Sequence, residues 1–126
     1  MDYRSMEFTY PVYQDEHLTF DFQRGSVCLD GSRMVLTRKE QELLSLLVQN
    51  VGEIIPRDVL LLRVWGYSKE IRTRTLDVHI RRLRKKLGAF GEQYIETIFG
   101  VGYRFQRYRE PRPFPSYLPA FSLAAV

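Results

Sequence analysis

The densest chemistry in this sequence is cationic. Between residues 69 and 86 stand Lys69, Arg72, Arg74, Arg81, Arg82, Arg84, Lys85 and Lys86, opposed by Glu70 and Asp77. The segment carries +6 in a chain whose formal charge is +4, which leaves −2 on the remainder. A guanidinium offers a planar fork of donors that fits a phosphate or the O6/N7 edge of guanine, and an ammonium adds a point charge. A basic cluster on a slightly acidic body points to a polyanion held at one place.

Other chemistries find little support. His17 and His79 lie far apart in sequence with no Cys/His cluster beside either, so no metal site is expected. No glycine-rich phosphate loop follows a strand, and no Ser/His/Asp or Cys/His set is evident. The chain reads as a non-enzyme without a cofactor. The single cysteine, Cys28, excludes an internal disulfide and is expected to be an inert buried thiol. One thiol and no leader peptide fit the cytoplasm. No apolar run approaches the roughly 18 residues of a membrane span.

Four groups of elements must position the cations. Leu18–Phe22 alternates, and Ser26–Leu29 and Met34–Leu36 flank Asp30-Gly31, a hairpin-turn dipeptide. Residues 3–13 offer a further strand. Thr37-Arg38-Lys39-Glu40 fits a capping box and opens a helix carrying Leu43, Leu44 and Leu47, which should stop near Gly52. A second helix is expected from Pro56, with Val59, Leu60, Leu61, Val64 and Trp65 as its apolar face and Gly66 as its end. In a third helix, from about Thr73 to Leu87, Leu76, Ile80, Leu83 and Leu87 form one stripe, and Arg74, Val78, Arg81, Arg82 and Lys85 fall opposite. Tyr94–Phe99, Gly100-Val101-Gly102 and Tyr103-Arg104-Phe105 read as a β-hairpin. The chain from Glu110 mixes prolines and aromatics and is expected to be extended. Two helices joined by a loop, the second cationic outside, make a helix-turn-helix plan, and the hairpin is placed as a wing.

The segments Leu36–Glu40, Val64–Gly66, Arg74–Leu87 and Gly100–Phe105, in this order, resemble the OmpR/PhoB-type winged helix effector domain over about residues 18–106. The resemblance implies an α+β fold: an N-terminal antiparallel sheet, three helices and a C-terminal hairpin wing. It implies sequence-specific binding of double-stranded DNA, as a transcription regulator, with the third helix in the major groove. Arg74, His79, Arg81 and Arg82 would approach DNA from that helix, with Lys85 beside them and Val78 making apolar base contact. His79 is read as a neutral donor to a phosphate. Trp65, Thr97 and Tyr103 match positions that meet the phosphate backbone, Trp65 being chiefly a core aromatic, Tyr103 read equally as packing in the wing and Thr97 more readily as a plain strand residue. The domain is expected to be a monomer in solution and a tandem pair on direct repeats, and to reach RNA polymerase through loop 67–73. The alternative class is a winged-helix module that binds protein alone.

Two departures stand out. Phe99 occupies a place where the family often carries a basic residue that enters the minor groove; with Ile98 and Val101 beside it the ring is expected to pack with the hairpin, the alternatives being to rest against sugars or to wedge at a base step. The loop before the third helix reads Arg72-Thr73 where an acidic residue is usual. Residues 1–17 are read as an N-terminal extension, too short for a phosphorylated receiver domain, and 107–126 as a tail.

Overall fold

Alternation of Leu18 and Phe20 with Thr19 and Asp21 gives β2 one apolar face, and the fold is built on that face. The computed structural model describes residues 12–68 and 73–110. Strands β1 (Val12–Gln14), β2 (Leu18–Asp21), β3 (Ser26–Leu29) and β4 (Ser32–Arg33) form an antiparallel sheet in sequential order. Tyr13 pairs with Phe20 and Phe20 with Val27, and all three are buried. Asp30 (φ 50°) and Gly31 (φ 82°) close the β3–β4 hairpin, both left-handed as a two-residue turn of this twist requires. That turn makes Ser32 the partner of Leu29. The fourth strand therefore starts at Ser32, ahead of the expected Met34–Leu36. Cys28 lies on the outward side of β3 and is half-buried, not enclosed as expected.

Helix α1 (Arg38–Gln49) opens on the expected capping box. The Glu40 amide donates to Thr37 Oγ1 at 3.2 Å and the Thr37 amide to Glu40 Oε1 at 2.9 Å. Leu43, Leu44, Leu47 and Val48 are buried. Helix α2 (Arg57–Trp65) begins one residue later than expected: Pro56 is its extended N-cap and ends a strand, β5 (Ile54–Pro56), not foreseen from sequence. Gly66, left-handed at φ 78°, ends α2. Leu60, Leu61 and Val64 are buried, whereas Val59 is exposed and Trp65 only partly buried. Helix α3 (Thr75–Lys86) buries the predicted stripe of Leu76, Ile80, Leu83 and, just past its end, Leu87. A 3₁₀ turn (Gly88–Phe90) and a short helix α4 (Gly91–Tyr94), also unforeseen, lead into the hairpin of β6 (Ile95–Ile98) and β7 (Gly102–Phe105). A second sheet has the order β5-β7-β6. A Cβ at Gly102 would collide with the Ile55 carbonyl, so glycine is what lets β7 cross β5 closely.

The two ends of the described region meet on one carboxylate. Asp15 accepts from the hydroxyls of Tyr13 and Tyr94 and from the amides of His17, Leu18 and Tyr108. Burial pushes the Asp15 pKa up, but the hydrogen bonds from Tyr13, Leu18, Tyr94 and His17 outweigh it and hold the carboxyl below its ordinary value. Arg107 donates to the Gln14 carbonyl at 2.8 Å and lies over the Tyr13 ring. Residues 13–15 and 107–108 thus make contacts with the rest of the described structure. Residues 3–11 of the proposed first strand, and the proline-rich stretch from Pro111, lie outside the described residues. No helix among the described residues is long and apolar enough to cross a membrane.

Candidate nucleic-acid interface

With leucines holding one side of α3 against the core, its other side faces outward. Arg74, the N-cap residue, and Arg81, Arg82 and Lys85 are exposed. Val78 and His79 are half-buried. Lys69 and Arg72, the other cations of the loop, lie outside the described residues.

Two cations of the cluster are engaged by partners within the fold. Arg84 donates through Nε and Nη2 to the Ile95 carbonyl at 3.0 and 2.6 Å, and through Nη2 to Thr97 Oγ1 at 2.8 Å, which ties α3 to the wing. Lys86 Nζ reaches Glu40 Oε1 at 2.6 Å and the Val35 carbonyl at 2.9 Å. Glu40, 1% exposed, therefore caps α1 and anchors α3 with one side chain. Burial raises its pKa, and the Lys86 and Thr37 hydrogen bonds lower it further than burial raises it. The partners of Arg84 and Lys86 lie on other elements, so the sequence offered no local sign of these roles.

Asp77, on the first turn of α3, accepts from Arg57 Nη1 and, at 2.7 Å, from the Tyr103 hydroxyl. Burial raises its pKa, but these donors bring it below the usual carboxylate value. Helix α2, helix α3 and the wing are thereby fixed to each other at one carboxylate. Arg57 was not singled out from sequence; it sits just after Pro56, and only the fold brings it to Asp77.

Proton counting sorts the remaining predicted residues. Tyr103 is 7% exposed and its one hydroxyl proton goes to Asp77. While that bond stands, Tyr103 has no proton for a phosphate, which only accepts. Thr97 accepts from Arg84, so its own hydroxyl proton remains available. His79 Nδ1 bonds the Thr75 carbonyl at 2.8 Å, and a carbonyl cannot donate, so Nδ1 carries the proton. With that proton placed, the neutral tautomer seen here presents an acceptor, not a donor, at Nε2. The Trp65 indole packs edge-on against the His79 ring at 4.8 Å. Between α3, the start of α4 and Tyr103 of the wing runs a cleft of about 550 Å³ lined by Asp77, Arg81, Arg84, Lys85, Glu92 and Tyr103 among others. At the wing tip Phe99 is 90% exposed, which corrects the expectation that it packs with the hairpin: the turn at Gly100 (φ 78°) projects the ring away from the sheet.

Residues 31–105 match the family described as "Transcriptional regulatory protein, C terminal". The chain belongs to this OmpR/PhoB-type family. The OmpR/PhoB-type domain is 46% identical over 87 residues to response regulator ArlR of Staphylococcus saprophyticus, covering 68% of this chain and 40% of that protein. It is 47% identical over 89 residues to transcriptional regulatory protein HprR of Escherichia coli, covering 70% and 40%. The chain thus spans about two fifths of the length of these relatives. Its winged helix fold superposes, with a TM-score of 0.72 and 32% identity, on the Klebsiella pneumoniae RstA DNA-binding domain solved in complex with RstA box, over 79% of this chain and all of that one.

Proposed function

We propose that this domain regulates transcription by binding double-stranded DNA site-specifically, with α3 in the major groove and the β6–β7 hairpin as wing. The observation that carries the reading is the division of α3: Leu76, Ile80 and Leu83 are buried behind, and Arg74, Arg81, Arg82 and Lys85 are exposed in front. The major groove of B-DNA admits one α-helix, and cations on its outer face meet phosphates and base edges there. Arg82 is the chief base reader and Val78 offers an apolar contact to a thymine methyl. Arg74, Arg81 and Lys85 neutralise phosphates, joined by the Trp65 indole N–H and the Thr97 hydroxyl, with His79 beside them. Tyr103 serves by holding Asp77 and Arg57 in place.

The site of action is the cytoplasm. The domain is a monomer free in solution and occupies direct repeats as a tandem pair, since one DNA face recurs about every 10–10.5 base pairs. Loop 67–73, of which 69–72 lie outside the described residues, is the surface offered to RNA polymerase. The deciding experiment is selection of a site from random duplexes, followed by binding isotherms between 50 and 200 mM salt. Each neutralised phosphate adds about −0.9 to the slope of log K against log salt, so a slope several times that value is expected. A flat dependence would overturn the reading.

A further inference from the structure

The wing ends in an aromatic side chain for which the fold has no internal use. Phe99 is 90% exposed and Val101, two residues on, is 45% exposed. Single exposed apolar residues are common on proteins and by themselves signify nothing. The bracing of this one is what gives it meaning. The Val101 amide donates to the Ile98 carbonyl at 2.9 Å and closes the turn that carries the ring. The Arg57 amide, at the start of α2, donates to the Val101 carbonyl at 3.0 Å. Below the tip, Arg84 of α3 is bonded to Ile95 and Thr97, and Tyr103 to Asp77. The tip is therefore held by both helices, at a fixed offset from the cationic face.

That offset determines what the ring meets, on the reading that α3 lies in the major groove. The cleft beside the wing is lined by Arg81, Arg84 and Lys85 of α3 and Tyr103 of the wing, with Asp77 and Glu92 also in its wall, so its three cations outnumber its two carboxylates. Such a cleft suits the sugar-phosphate strand that borders the groove. Immediately beyond that strand lies the minor groove, about 6 Å wide. A phenyl ring has no charge to draw it into a narrow, strongly negative A-tract groove. It can gain by covering deoxyribose or by wedging between unstacked bases, and pyrimidine–purine steps unstack most easily.

We propose that Phe99 is a specificity-determining wedge in the minor groove, which makes the domain favour a deformable TA or CA/TG step flanking its major-groove site over a stiff A-tract. The full chain is titrated onto duplexes that share one selected major-groove half-site and differ only in the flank, TA step or A-tract. Wild type is compared with Phe99→Ala, Phe99→Leu and Phe99→Arg, all at a solvent-exposed position and checked by circular dichroism. Wild type should favour the TA flank by about tenfold. Phe99→Ala should lose that preference with an unchanged salt slope, and Phe99→Leu should keep part of it. Phe99→Arg should favour the A-tract and steepen the slope by about 0.9. Phe99→Ala matching wild type on both flanks would overturn the wedge while leaving DNA binding itself intact. A Phe99→Ala defect that appears only on tandem sites would assign the ring to the neighbouring copy and also overturn it. Loss of salt-dependent binding by wild type would instead refute the DNA-binding reading on which the inference rests.

Discussion

Neighbouring arginines on one helix do different work when only one of them can reach a base edge. Arg82→Ala should lose about 1–3 kcal/mol on the selected site and relax preference at one base pair, whereas Arg81→Ala should weaken all sequences about equally. Competition profiles over single-base variants of the site test this; identical profiles for the two variants would show the assignment to be wrong. Helical spacing alone separated Arg74, Arg81, Arg82 and Lys85 from the rest of the cluster. What Arg84 and Lys86 bind was not legible, because Ile95, Thr97, Glu40 and Val35 are brought to them only by the fold.

Elements with a long repeat were legible and elements made by their neighbours were not. Helices α1 and α3 announce themselves through a cap and a leucine stripe within 12 residues each. Strand β5 has three residues and owes its existence to pairing with β7, which no local pattern encodes. Helix α4 has four residues and begins on a glycine, below the length at which periodicity carries information. The β4 shift came from the turn: Asp30 and Gly31 fix the first pair, and apolar Met34 and Leu36 misled because they pack against the core from outside any strand, with Val35 exposed between them. The α3 stripe itself can be tested. Leu83 is fully buried, so Leu83→Ala should cost about 2–5 kcal/mol, read as a lower midpoint in chemical denaturation. An unaltered midpoint would mean that the helix is rotated from the position described.

For the whole molecule, three carboxylates on different elements, Asp15, Glu40 and Asp77, all have pKa values held below their ordinary ones by donors. Unfolded carboxyls titrate near pH 4. The stability these groups contribute is fully present above that value and is lost as pH falls through it towards the folded-state pKa values. His17 acts in the opposite sense: its hydrogen bond to Asp30 raises its pKa, so its contribution is present below the unfolded value and lost as pH rises through the folded one. Thermal midpoints should therefore be highest in mildly acidic to neutral buffer and drop steeply below about pH 4. Asp15→Asn should lower the midpoint at pH 7, by about 2 kcal/mol of stability or more, and soften the acid limb. A variant with the wild-type acid limb would remove Asp15 from this account. The knot at Asp15 also bears on time. Its bonds to Tyr94 and Tyr108 close loops of 79 and 93 residues, and contacts that distant carry a large closure entropy and should form after the folding barrier. Cutting the knot should then accelerate unfolding and leave refolding nearly unchanged, so Asp15 acts as a latch that governs how long the domain survives between openings.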